Sequence, residues 1–189
     1  MEFRLHYSGL LNTNSDKKHT HSIRKYFHHQ LKVLASEKPL MGLLSVHKPK
    51  KIINEIPFIP LLSEKMKPKV SLDILLIRYQ IESHLLTKNS DVDNQLKVIF
   101  DALSCPQSIN QADQKWFNEE NKEDIYCLLE NDKFVTSVRA ETDRLLWSKE
   151  LETTDNVKIA NEWRNKSLVI IKVGFKVQEP SFDDIGGLS

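Results

Sequence analysis

Three acidic side chains frame the chemistry open to this chain: Asp91 and Asp93, one valine apart, and Asp132 further downstream. The first two belong to the run Asp91-Val-Asp93-Asn94-Gln-Leu-Lys97-Val-Ile-Phe-Asp101-Ala102-Leu103, and the third to Glu130-Asn131-Asp132. Carboxylates crowded at a strand-to-helix junction repel one another, and a divalent cation offsets that repulsion. Three oxygen ligands with room left for water suit Mg2+, or Mn2+ in its place. An ion held in this way stabilises charge on a phosphate and makes water a better nucleophile. Lys97, one helical turn after Asp93, could hold a phosphate or orient the attacking water. Asn94 could cap the helix or donate to a phosphate oxygen. The same residues also have purely structural uses. Asp at a helix start caps backbone N–H groups and favours the positive end of the dipole. Lys97 can pair with Asp93 or Asp101 at helical spacing, for only ~0.3–0.5 kcal/mol.

Elements must bring these residues together. The apolar run Val70 to Ile81, unbroken from Ile74 to Ile77, predicts a central strand covered on both faces, with Asp73 and Arg78 as interruptions that mark its ends or an open face. Glu82 to Ser90 then reads as the loop leading to Asp91. Asp91 to Leu103 predicts a helix with Leu96, Ile99, Phe100 and Leu103 buried and with Asp93, Lys97 and Asp101 on a different face. An earlier helix is expected over His19 to Ser36, after a first strand at Phe3–Leu11 and a polar turn at Asn12–Lys18. Ile23, Phe27, Leu31 and Leu34 face the core at helical spacing. His21, Arg24, Lys25, His28, His29 and Lys32 then occupy its outer faces, either as a solvated surface or as one that tracks phosphates. The histidine pairs find no cysteine or nearby carboxylate to complete a metal site. Prolines at 39, 49, 57, 60 and 68 break up residues 37–69, leaving a short strand near Gly42–His47 and a helical turn near Leu61–Met66. Residues 104–128 read as irregular or weakly helical, followed by strands at Phe134–Val138 and Lys166–Val177. In the last strand Val169, Ile171, Val173, Phe175 and Val177 share one face. Arg144 to Trp147 packs apolar surface in this reading.

Bulk properties narrow the classes. The 189 residues suffice for one domain with a real core, and 40% hydrophobic with 28% charged residues is ordinary for a globular protein. Five glycines, with neither a P-loop nor a dinucleotide fingerprint, argue against Gly-rich phosphate loops. No apolar run approaches the ~20 residues that span a bilayer, and the start lacks a secretory core, so no membrane association is expected. Cys105 and Cys127 are expected to be reduced in a cytoplasmic protein, and two cysteines alone cannot build a zinc knuckle. The net charge of +1 hides an asymmetry. Residues 1–90 hold 15 Lys/Arg against 7 Asp/Glu, whereas residues 91–189 hold 12 against 19. A basic part beside an acidic part suits a protein that attracts phosphates and collects metal, or one that neutralises itself within its fold.

The run from Asp91 to Leu103 resembles the signature of the RusA-type Holliday junction resolvases: Asp-x-Asp-Asn-x-x-Lys, then Asp-Ala-Leu one turn on. Glu130-Asn131-Asp132-Lys-Phe-Val135 is similar to that family's later acidic site. The firm likeness covers residues 70–103 and 129–138. It implies an α+β fold, with a mixed β-sheet and helices packed on it, in a homodimer. A single domain over residues 1–179 is expected, with enlarged segments near 37–69 and 104–128 and a flexible tail at 180–189. The implied activity is Mg2+-dependent (or Mn2+-dependent) cleavage of branched DNA in recombination and repair. Asp91, Asp93 and Asp132 are then the metal ligands and catalytic residues, with Lys97 assisting. Asp101 takes a supporting place on the helix surface, and Asn94, Arg24, Lys25 and Lys32 serve the site's surroundings or grip DNA. The alternative is a catalytically silent DNA-binding or phage-associated accessory protein of the same fold; intact Asp91, Asp93, Lys97 and Asp132 speak for the enzyme. A third reading is a metal-stabilised fold with no nucleic-acid role.

Overall fold

A four-stranded mixed sheet carries the element that leads toward the acidic helix. The computed structural model describes residues 1–11, 17–78, 92–108, 124–144 and 166–177. The strands of this sheet are β1 (Glu2–Leu10), β4 (Lys69–Arg78), β6 (Val135–Arg144) and β7 (Lys166–Lys176), in the order β1-β7-β4-β6. β7 runs antiparallel to both β1 and β4, and β6 runs parallel to β4. The architecture is α+β, with mixed sheets and three α-helices among the described residues.

Alternation explains which face is covered. β4 buries Val70, Leu72, Ile74 and Leu76, and β7 buries Val169, Ile171, Val173 and Phe175. Side chains alternate across a pleated strand, so these residues share one face. The opposite side of β4 carries exposed Lys69, Ser71 and Asp73 and half-buried Leu75 and Ile77. The expected central strand is therefore present, but it is fully covered on one face only. Leu75 and Ile77 made the run look buried on both sides. A sheet with antiparallel pairs can leave one face toward solvent. The expected last strand matches β7, with Val177 just beyond its end.

Helix α1 (Lys17–Ala35) corrects a second expectation. Ile23, Phe27 and Leu31 are buried and Leu34 packs against the core, as their spacing predicts. His21, Arg24 and His28 are buried as well, not on an outer face. The helix packs against β1, α3 (Val92–Leu103) and β5 (Ile125–Leu129), so it buries a stripe wider than one apolar face. Polar groups tolerate this where they find partners: His28 Nδ1 accepts from the Tyr126 backbone N–H at 2.9 Å.

The segment fragmented by prolines is more regular than its sequence suggests. Residues predicted as a strand at Gly42–His47 form helix α2 (Leu40–His47). β2 (Lys51–Ile53), β3 (Ile56–Leu62) and β5 form a second sheet in the order β2-β3-β5, with β3 and β5 parallel. The expected helical turn at Leu61–Met66 is shorter, a 3-10 turn at Glu64–Met66 after β3. Pro57 pairs with β2 outside the reach of β5, and Pro60 pairs with β5 outside the reach of β2. Each proline has one flank without a strand partner, where a missing N–H costs no ladder bond. All of β5 but Leu129 falls inside the stretch expected to be irregular. The expectations for residues 12–16 of the polar turn, Tyr79–Ile81, the loop 82–90, Asp91, residues 109–123, Leu145–Trp147 and the tail lie outside the described residues.

Candidate functional site

Two strands and one helix converge below the acidic turn. Arg78, at the end of β4, donates from its guanidinium to Oε1 of buried Gln95, fastening the first turns of α3 to the main sheet. The other end of α3 is fixed to β5, where the Cys105 N–H donates to the Leu129 carbonyl at 2.8 Å and Ser104 bridges Leu129. Val98, Ile99, Ala102 and Leu103 are the buried apolar residues of α3. Leu96 and Phe100, expected in the same stripe, are partly buried and pack against the core. That leaves Asp93, Asn94, Lys97 and Asp101 toward solvent, with Asp93, Lys97 and Asp101 four residues apart as expected for one face.

β5 runs directly into the turn Glu130-Asn131-Asp132, whose three residues have separate tasks. Glu130 Oε2 accepts from the Glu64 backbone N–H at 2.9 Å. Asn131 Oδ1 accepts from the Lys133 backbone N–H at 2.9 Å and so caps the 3-10 turn Asp132–Phe134. Asp132 is exposed, and its carboxylate makes no hydrogen bond or ion pair among the described residues. The two neighbours organise the turn, and Asp132 presents its carboxylate.

Asp132 and Asp101 line the same cavity, of about 280 Å³, together with Lys17, His21, Arg24 and Ser104. Partial burial pushes the Asp101 carboxyl above its ordinary range; Lys97 and Arg24 oppose the shift, and the negative charge of Asp132 adds to it. The structure thus brings Asp101 to Asp132, while Asp93 and Lys97 lie outside the cavity lining. Asp93 is eight residues before Asp101 on α3, about 12 Å along the axis. Asp91 lies outside the described residues. Among the described residues no three His, Cys, Asp or Glu side chains form a group able to hold a metal. The carboxylate pair is nevertheless a hard, oxygen-only donor set, whose mutual repulsion a divalent cation would relieve.

Arg24 is the residue whose expected role changes most. It is 3% exposed, too buried to lie along a DNA backbone. Its Nε donates to the Ser104 carbonyl at 3.1 Å, and its terminal nitrogens meet the Asp101 carbonyl and His21 Nδ1. Burial pushes its pKa down, with the nearby Cys127, Cys105 and Asp101 acting in the opposite direction. It thereby ties α1 to the C-terminal end of α3, where the last carbonyls of a helix need donors. Lys25 is half-buried and Lys32 is exposed in the last turn of α1. Cys105 and Cys127 are both free and buried.

The sequence offers no sign that His21, Lys17 and Ser104 line a cavity, and Asp101, expected on the helix surface, lines it too. The signal for Asp101 was present in the four-residue spacing from Asp93 and Lys97. For the others no local pattern exists, because the cavity is made by α1 crossing the end of α3. No helix among the described residues is long and apolar enough to cross a membrane. No protein-family model matches the chain, and no curated protein or solved structure matches it.

Proposed function

We propose that the protein is a metal-dependent endonuclease that hydrolyses phosphodiester bonds in branched DNA. The observation that carries this reading is the meeting of Asp101, on the acidic face of α3, with Asp132, on the turn after β5, in one cavity. The motif from Asp91 to Leu103 supports it, since the same helix face carries Asp93 and Lys97. In this reading Asp101 and Asp132 hold the ion at the cavity, and Asp91 and Asp93, which the motif implies as further ligands, precede them on the chain. Bound Mg2+ or Mn2+ supplies charge neutralisation and a more acidic water. Lys97 holds the scissile phosphate or orients water at it. Lysines and arginines of the basic first half grip the strands. Paired cuts across a four-way junction need two sites at a fixed separation, which a two-fold dimer provides.

Replacing Asp93→Asn tests the assignment. The expected result is loss of Mg2+-dependent cleavage with junction binding retained. An intact protein that cuts no branched DNA with Mg2+ or Mn2+ would contradict it. A second reading, a DNA-binding accessory protein without catalysis, draws on the exposed Lys32, Lys48 and Lys67, which would attract a DNA backbone whether or not a metal is held. Junction binding without cleavage by the intact chain would favour that reading.

A further inference from the structure

A second cavity, of about 330 Å³, shares the acidic turn with the first, through Glu130, and carries an excess of basic side chains. Lys48, Lys50, Lys51 and Lys65 line it, with Glu64, Glu130 and Ser63. The lysines come from the two ends of one supersecondary unit: the exit of α2 into β2, and the 3-10 turn after β3. The hairpin β2-β3 folds these two stretches together, although they are well separated along the chain.

The charges at this cavity are not balanced within it. Lys50 is paired with Asp124 at 3.1 Å, and Glu64 with Lys133 at 2.8 Å. Glu130 already accepts the Glu64 backbone N–H. Lys48, Lys51 and Lys65 form no ion pair among the described residues. Ser63 supplies an independent observation. It is 2% exposed, and its hydroxyl is buried without a hydrogen-bond partner among the described residues. A buried hydroxyl left without a partner is costly, and such groups call for an explanation. A hydroxyl donor beside three ammonium groups outside any ion pair is the donor set for a phosphate oxygen.

We infer that this cavity is a phosphate-binding subsite for the nucleic-acid backbone, in which Ser63 and Lys48, Lys51 and Lys65 hold a phosphate next to the one being cut. The inference rests on the nuclease reading and extends it. Glu130 lines the basic cavity, and Asp132 lines the one that also holds Asp101. Two residues span at most ~7 Å of chain, so the cavities flank a single turn. A strand whose scissile phosphate lies at Asp101 and Asp132 then has the basic cavity within reach of a neighbouring phosphate. Residues 37–69, which look like an enlargement of the fold at the level of sequence, gain a purpose: they add a backbone grip beside the acidic site.

The test uses the full chain and a fluorescein-labelled four-way DNA junction, with binding followed by anisotropy over a range of salt in EDTA. The triple variant Lys48→Gln, Lys51→Gln, Lys65→Gln should bind about tenfold or more weakly at moderate salt. Its plot of log K against log salt should be shallower by about 1, one phosphate contact fewer. Ser63→Ala should weaken binding about threefold to tenfold, the effect of one lost hydrogen bond. Its melting temperature should stay level or rise, because the variant removes a buried hydroxyl that has no partner. Junction binding by the intact protein with affinity and salt slope unaltered in both variants would overturn the subsite and leave the nuclease reading standing. A Ser63→Ala variant that melts lower and binds normally would also overturn it, by showing a structural role for the hydroxyl. An intact protein that binds no DNA would overturn both.

Discussion

Asp101 sits where opposing charges compete, and its titration gives the site a measurable signature. Partial burial and Asp132 together outweigh Lys97 and Arg24, so the folded carboxyl binds its proton more readily than the unfolded one. The stability this confers is full below the ordinary carboxyl value of 3.8 and is lost as pH rises through the folded value. At neutral pH ionised Asp101 is therefore a liability that Asn would not share. Asp101→Asn is expected to melt at a higher temperature than the parent at pH 7, with the gain closing in acid; a lower melting temperature at pH 7 would contradict the assignment. Arg24 carries the opposite sign. Arg24→Met leaves the Asp101 and Ser104 carbonyls without their donor and should cost about 3 kcal/mol in urea unfolding. A loss below about 0.5 kcal/mol, the usual range for surface changes, would show that the guanidinium does not tie the two helices. The acidic residues were legible because chemistry fixes their type and spacing. Arg24 was not, since a basic residue on an amphipathic helix looks solvated until a second helix is laid against it.

Long periodic elements were the legible ones. α1, α3, β4 and β7 each repeat a burial pattern over several turns or residues, and each was found close to its expected bounds. The second sheet was hidden because its cues conflict. Pro57 and Pro60 read as breakers, and only the staggered pairing of β3 makes them harmless. The β2-β3 hairpin turns on Asn54 and Glu55, whose φ angles are 48° and 68°. Such turns favour Asn-Gly, so Glu55 masked the signal. Glu55→Gly should relieve the left-handed conformation and stabilise the protein by about 1 kcal/mol, read as a higher urea midpoint. A lower midpoint would mean that the Glu55 side chain makes a contact worth more than the relief. This hairpin also sets the basic cavity, so its rigidity bears on DNA binding as well as on folding.

At the scale of the whole molecule, charge is divided along the sequence between a basic first part and an acidic second part. The turn at Glu130–Asp132 contributes Asp132 to a cavity of mixed charge with Asp101, Lys17 and Arg24, and Glu130 to one with an excess of lysines. The charge division is legible along the chain, but this adjacency is not, because it depends on the parallel pairing of β3 with β5. The proposed two-fold dimer predicts a mass of about 44 kDa by light scattering, twice the 22.0 kDa of one chain. A species of 22.0 kDa that still cuts both strands of a junction would remove the need for a dimer. The central claim is that carboxylates from α3 and from the turn after β5 gather on one hard ion where DNA can reach it. Anomalous diffraction from a crystal soaked in Mn2+ tests this most directly. The expected map has a peak about 2.0–2.6 Å from an Asp132 oxygen, with at least one carboxylate of α3 completing the shell. A map without such a peak, with Asp132 turned away from α3, would contradict the account.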